Sequence, residues 1–319
     1  MKLGSEILYL SRADIAACDV PLEDVEASVE AMFVSKAKGT AMMKPKLALH
    51  SDSGWFLAMI GGIKDKGYTG MKWVGVASTQ QHSNQPHING QIVINDFVTG
   101  MPVAVMDAQW ITGVRTAAIS AVGAKYLAKK DSTSIGFVAC GLQARTNLDA
   151  LRLRYPLKRL KAYSRRKETA EAFAAEARKL GLEAVAVDSP KAAMEGMDIV
   201  VTTVPVVPKP ERTFDGAWLA PGSYAAIVDL GHPWKGETLT ALDCVVTDDL
   251  AQAVTEKLTY PKPYDGEVSD LVTGKVMGRK SDKDRTALMF GGLGLADVAV
   301  GGVVYERARA KGIGRVLKL

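Results

Sequence analysis

The stretch IGFVACGLQART, residues 135–146, decides how the rest of the chain is read. Its first half is a short, continuous apolar run, the pattern of a strand buried on both faces. Its second half turns through small residues into a segment of helical character. A strand–turn–helix of this kind brings backbone N–H groups and a helix N-terminus to one point, which suits a pyrophosphate. The spacing is Ala139-x-Gly141-x-x-Ala144, against the usual Gly-x-Gly-x-x-Gly/Ala. The first glycine is replaced, so a plain strand-to-helix turn is the alternative reading of these residues taken alone.

Toward the C-terminus the pattern repeats. Short apolar runs fall at 134–139, 160–164, 183–187, 198–204, 224–230 and 244–249, most of them separated by helical segments such as 167–180 and 190–196. Apolar strands alternating with helices predict a parallel sheet covered on both faces, joined by right-handed crossovers. The second run ends in AYSRRK, residues 162–167, with no carboxylate to hold the ribose hydroxyls of NAD. Ser164, Arg165 and Arg166 are placed to hold a 2′-phosphate instead, because guanidinium groups pair well with phosphate. This favours NADP(H) mildly over NAD(H); a solvated basic turn is the other reading.

Toward the N-terminus the pattern differs. Residues 21–38 have helical spacing, strands are expected at 45–50, 54–60 and 70–76, and 88–107 reads as a hairpin turning at DFVTG. A long helix with a small-residue face is expected over 110–129, and a last helix over 293–311 that returns to the N-terminal part. The expected fold is α/β: a Rossmann-type parallel-sheet domain, 117–292, inserted in a smaller α+β domain made of 1–116 and 293–319.

Composition removes several classes. The 319 residues carry a net charge of +5, which suits a small anion, and no aromatic residues interleave with the basic ones as single-stranded nucleic acid would require. Cys18, Cys140 and Cys244 are odd in number and far apart, so a reducing, cytoplasmic setting is expected rather than a disulfide framework. No apolar run approaches the roughly 20 residues that span a bilayer. His50, His82, His87 and His232 lack metal-ligand spacing, and no metal is expected.

Four segments carry a family resemblance. MDAQWITGVRTAAISAVGAKYLA (106–128), GLQA (141–144), PKLALHS (45–51) and GRKSDKDRTALMFGGLGLADVAV (278–300) resemble, in order, segments of the ornithine cyclodeaminase/μ-crystallin family. The resemblance implies a homodimerising N-terminal domain completed by the C-terminal helix, an inserted Rossmann domain, and substrate in the cleft between them. It implies hydride exchange between a nicotinamide and the α-carbon of an amino or imino acid.

Residue by residue, the resemblance assigns the substrate carboxylate to Lys46, Lys72 and Arg115, with His87 and Gly292 nearby. The cofactor candidates are Arg115, Thr116, Cys140, Gly141, Leu142, Gln143, Ala144, Ser164, Arg165, Arg166, Thr203, Val204, Asp229 and Leu230. Cys140 is read as a small turn residue rather than a nucleophile. The glycines of MFGGLG, 289–294, suggest close backbone approach to a ligand.

The departures bear on function. Cyclodeaminases resemble this chain except for a glutamate in the strand near 56–59 and an aspartate at the place of Gly231, and both acids are missing here. Asp229 is the nearest acid, and His87 or His232 is a candidate proton donor or partner for a second acidic group. Without positioned acids, amine-to-amine proton shuttling is unsupported, whereas hydride transfer to an imine remains. The expected function is NAD(P)H-dependent reduction of a small α-imino acid: a cyclic ketimine, or the imine of pyruvate or of a dicarboxylic keto acid such as iminosuccinate. Lys72 is the candidate to polarise or protonate the imine, with Asp229 beside it as a catalytic candidate. Ornithine cyclodeamination and simple NADPH or ligand binding, as in μ-crystallin, are the alternatives.

Overall fold

The computed structural model of the chain describes residues 2–52, 54–77, 88–206 and 210–319. In chain order it forms β1 (Glu6–Leu10), α1 (Arg12–Cys18), α2 (Leu22–Ala37), β2 (Ala41–Met43), β3 (Leu47–Ser51), β4 (Gly54–Ile63) and β5 (Tyr68–Ala77). Then come β6 (Ile88–Asp96), β7 (Pro102–Asp107), α3 (Gln109–Leu127), β8 (Ser134–Val138), α4 (Leu142–Arg154), β9 (Arg159–Tyr163), α5 (Lys167–Lys179) and β10 (Glu183–Ala186). The remainder is α6 (Pro190–Met194), β11 (Ile199–Thr202), β12 (Tyr224–Ile227), α7 (Gly236–Leu239), β13 (Cys244–Thr247) and α8 (Leu250–Thr255), then β14 (Gly266–Glu267), α9 (Val268–Val272), β15 (Thr286–Met289), α10 (Gly294–Lys311) and β16 (Arg315–Lys318). Two compact units result: Met1–Arg115 with Gly292–Leu319, and Thr116–Gly291.

The first unit is built on a mostly antiparallel sheet in the order β16-β1-β7-β6-β5-β4-β2, with β3 also on β4. Local chemistry sets its ends. Ser11 and Asp14 form a reciprocal capping box that starts α1. The β6–β7 turn closes where Asp96 Oδ1 accepts from Thr99 N at 2.8 Å, and Gly100 supplies the left-handed residue. One face of the sheet packs under α10. There Gly61 and Gly294 let strand and helix meet backbone to backbone: a Cβ on Gly294 would stand 2.7 Å from Ile60 O.

Strand alternation decides which side chains face that helix. On β5, Lys72, Val74 and Val76 are buried, while Trp73 is exposed. On the opposite face Leu47, Leu49, Phe56, Ile60 and Trp73 stay exposed. The register sets Leu47, Ala58 and Trp73 in one row, and Phe56 stacks on Trp73 with ring centroids 5.8 Å apart.

The second unit is a parallel sheet, order β10-β9-β8-β11-β12-β15-β13-β14. Its central strands are wholly buried, as their continuous apolar runs require. Trp234 is fully buried in this core, edge-on to Phe214 at 5.7 Å. The α/β class expected from the alternating runs is what the chain adopts. The structure adds elements the pattern left out: β1, α1, β2 and β16, and above all β15. TALM (286–289) is a fully buried strand lying between β12 and β13. Expected strands also differ in length: β4 and β5 run further, and β11 stops at Thr202 rather than 204.

Candidate active site

In the first unit a buried ionic cluster forms where β5, α3 and α10 supply one charged residue each. Lys72 is 1% exposed, Arg115 5% and Asp297 0%. Lys72 Nζ donates to Asp297 Oδ1 at 2.9 Å and to Thr112 Oγ1 at 3.3 Å. Arg115 Nε donates to the same Asp297 Oδ1 at 3.0 Å. Thr112 and Arg115 are three residues apart on α3 and so share a face. Asp297 lies in the first turn of α10, where the helix dipole favours an anion.

Two cations thus share one carboxylate, leaving a surplus positive charge inside. Arg115 Nη1 is buried and has no hydrogen-bond partner among the described residues. It lies against Gly292, in the space a Cβ would fill, and Gly292 has φ +79°. Burial first, and then the Arg115 charge, pulls the Lys72 ammonium down to about 7, against the pull of Asp297. Lys46 adds to the depression, so its charge also bears on this site. Of the residues predicted to hold a carboxylate, Lys72, Arg115 and Gly292 are therefore together and Lys46 acts on them electrostatically. His87 lies outside the described residues.

Asp297 and Thr112 were not anticipated as part of the site. A signal existed: an acid in the otherwise apolar helix start GLADVAV must be paired if it is buried, and the matching cation sits in the apolar strand MKWVGVA.

In the second unit the loop after β8 is held on three sides. Ala139 adopts φ +68°; its N–H donates to Tyr163 O at 2.8 Å and its carbonyl accepts from Thr203 Oγ1 at 3.0 Å. Arg145 donates to Cys140 O at 2.7 Å and pairs with Glu176 at 2.6 Å. Gly141 is the N-cap of α4, no side chain caps the helix, and nothing lies within 4 Å of where a Gly141 Cβ would be. A helix N-terminus without a side-chain cap, beside a residue without a side chain, fits a dinucleotide pyrophosphate. Gly141, Leu142, Gln143 and Ala144 occupy this turn as expected from the spacing. Cys140 is buried and its thiol is pushed up to about 12 by burial, so it does not ionise near neutral pH.

Ser164, Arg165 and Arg166 follow β9, both arginines exposed. Thr116 is buried, one residue along α3 from Arg115. Asp229 joins Val204: its Oδ2 accepts from Val204 N at 3.2 Å, while its buried Oδ1 has no partner among the described residues. Burial lifts Asp229 to about 7, against its hydrogen bonds. Leu230 follows at φ +60°. His232 Nδ1 is buried without a partner, and burial lowers its pKa. Gly231 has φ +70°, and a Cβ there would stand 2.8 Å from Met289 Sδ. At the place that matches the cyclodeaminase aspartate, a side chain would be strained by the left-handed backbone and would have to displace the end of Met289.

A parallel sheet with an uncapped glycine turn after its first strand, inserted in a second α+β unit, is a Rossmann-type architecture with a discontinuous partner domain. The chain belongs to the ornithine cyclodeaminase/mu-crystallin family, whose sequence model matches residues 9–312. It is 31% identical over 325 residues to the alanine dehydrogenase of Archaeoglobus fulgidus, covering 98% of both chains. In structure it is similar to an archaeal alanine dehydrogenase dimer with bound NAD, with TM-score 0.89 and 30% identity over 98% of this chain and 99% of that one. It is also similar to the Thermococcus litoralis Delta(1)-pyrroline-2-carboxylate reductase in complex with NADH and L-proline, with TM-score 0.88 and 27% identity over 97% and 99% of the two chains.

Proposed function

We propose that the protein is an NAD(P)H-dependent reductase of a small α-imino acid, the reverse reaction being oxidation of an amino acid. The observation that carries this reading is the buried pair of cations on one carboxylate, with Arg115 Nη1 unpartnered among the described residues. A buried guanidinium nitrogen without an acceptor is costly, and a substrate carboxylate relieves both the missing bond and the excess charge. The dehydrogenase and imine reductase to which the chain is similar bind NAD or NADH, which supports the cofactor class.

Arg115 and Lys72 hold the carboxylate and so fix the α-carbon. Lys72, with its pKa near 7, gives up a proton to the imine nitrogen at neutral pH, making the carbon electrophilic. The turn at Gly141, Leu142, Gln143 and Ala144 would hold the pyrophosphate, and Arg165 and Arg166 would hold the ribose phosphate of NADP(H). The nicotinamide, when bound, supplies the hydride that the imine carbon accepts. Asp229 keeps the Val204 loop in place and is a second proton-bearing group. Cyclic ketimines and the imines of pyruvate or of a dicarboxylic keto acid all carry the required carboxylate. Ornithine cyclodeamination is disfavoured because the segment 56–59 and Gly231 carry neither of the two acids by which cyclodeaminases differ from this chain.

We further propose a homodimer through the exposed apolar face of the first unit's sheet, and a cytoplasmic enzyme, in keeping with three buried free thiols. No helix among the described residues is long and apolar enough to cross a membrane.

The test is NAD(P)H oxidation followed at equilibrium pH 7 with Δ1-pyrroline-2-carboxylate and with keto acids plus ammonia. Turnover that falls roughly 10²–10³-fold in Arg115→Ala is expected. Ornithine conversion to proline at a comparable rate, or near-normal turnover in Arg115→Ala, overturns the reading. NADPH is expected to bind more tightly than NADH, with the preference lost in Arg165→Ala/Arg166→Ala; equal affinities in the unaltered protein overturn that choice.

A further inference from the structure

Lys72 and Arg115 meet on a single oxygen. Asp297 Oδ1 receives Lys72 Nζ at 2.9 Å and Arg115 Nε at 3.0 Å, while Asp297 Oδ2 is buried without a hydrogen-bond partner among the described residues. The arrangement is unusual for a carboxylate that only neutralises a cation, since a guanidinium offers two nitrogens to two oxygens in a paired fork. Here the guanidinium is turned. Its Nε is spent on Asp297, and its Nη1 is left against Gly292 with nothing to donate to.

The charges acting on Lys72 come from every element packed around it: Arg115 from α3, Asp297 from α10 and Lys46 ahead of β3, with the Thr112 hydroxyl beside Nζ. Burial, Arg115 and Lys46 all favour the neutral amine, and Asp297 opposes them by charge and by hydrogen bond. A neutral Lys72 neither attracts a carboxylate nor donates a proton to an imine.

We propose that Asp297 is a positioning residue that divides one negative charge between two cations, keeping Lys72 protonated while turning Arg115 so that Nη1 is presented to the substrate carboxylate. The proposal rests on the reading of Lys72 and Arg115 as the carboxylate site. The proton that reaches the imine nitrogen leaves Lys72 Nζ, and solvent restores it afterwards.

The test reads Lys72 directly, by NMR titration of the full chain labelled with 15N at lysine Nζ, the Lys72 signal being identified by its loss in Lys72→Arg. Asp297→Asn is expected to lower the Lys72 midpoint by about one pH unit or more, the size of effect an adjacent opposite charge exerts. Arg115→Met, which leaves Asp297 to Lys72 alone, is expected to raise it, and serves if Asp297→Asn does not fold. The upper limb of the kcat/KM profile with Δ1-pyrroline-2-carboxylate should move with the midpoint in Asp297→Asn, while NADPH affinity holds. A Lys72 midpoint unmoved by either variant overturns the proposal. Because the titration needs no substrate, an inactive unaltered protein would sink the reductase reading and leave this result standing.

Discussion

Asp229 shows how one side chain makes stability depend on pH. Its carboxyl is fully buried and lifted to about 7, above its unfolded value of 3.8. A group whose folded pKa is raised contributes stability that is complete below the unfolded pKa and is lost as pH rises through the folded one. The window is therefore about pH 4 to 7, and the loss across it is on the order of a few kcal/mol. Asp229→Asn should flatten the fall in denaturation midpoint over that window; an unchanged slope would refute the assignment. Lys72 acts elsewhere. Its folded pKa is depressed from 10.5 to about 7, so its effect lies above pH 7 and has the opposite sign, stability rising with pH. At the same scale, Gly292→Ala should fold but impair turnover, because a methyl group there would displace the Arg115 guanidinium. Kinetics with intact NADPH binding would show it.

At the scale of elements, the loop after β8 accounts for a weak motif. Ala139 stands at the position of the missing glycine and still takes the left-handed conformation, φ +68°. Its N–H and its carbonyl are both tied, to Tyr163 and Thr203. Those bonds offset a strain of about 1 kcal/mol for a residue with a Cβ. Ala139→Gly should therefore raise stability by about 0.5–1 kcal/mol in chemical denaturation and leave NAD(P)H affinity intact. A loss of stability would mean that the strain is absent. The same loop shows what is legible in a sequence. The alternation of apolar runs and helices gave the parallel sheet, because buried strands must be apolar throughout. TALM gave no such sign: four residues after a charged stretch, its hydrophobicity is ordinary, and only its slot in the sheet makes it a central strand. Lys72 and Arg115 were readable from the family resemblance. Asp297 was not singled out, since its importance comes from contacts with residues 225 and 182 positions away.

At the scale of the molecule, the exposed face of the first unit's sheet is the feature a monomer does not explain. Leu47 is 68% and Leu49 61% exposed, in rows with Phe56 and Trp73. Contiguous apolar patches of this kind on soluble proteins mark interfaces. A dimer by light scattering at micromolar concentration is expected, and Trp73→Glu should shift it to monomer; a monomeric unaltered protein would contradict the interface.

The place of β15 has a further consequence, for how the chain is made. β12 and β13 do not pair with each other: residues 286–289 lie between them. The first unit likewise waits for α10, which follows directly, and for β16 on β1. On the ribosome, both units must hold open strand edges until residues 286–318 have emerged, in the order of synthesis that usually lets the N-terminal part finish first. Neither unit has an early, self-sufficient state, so a nascent chain stopped before residue 286 should be a chaperone client in both halves rather than a folded fragment with a tail.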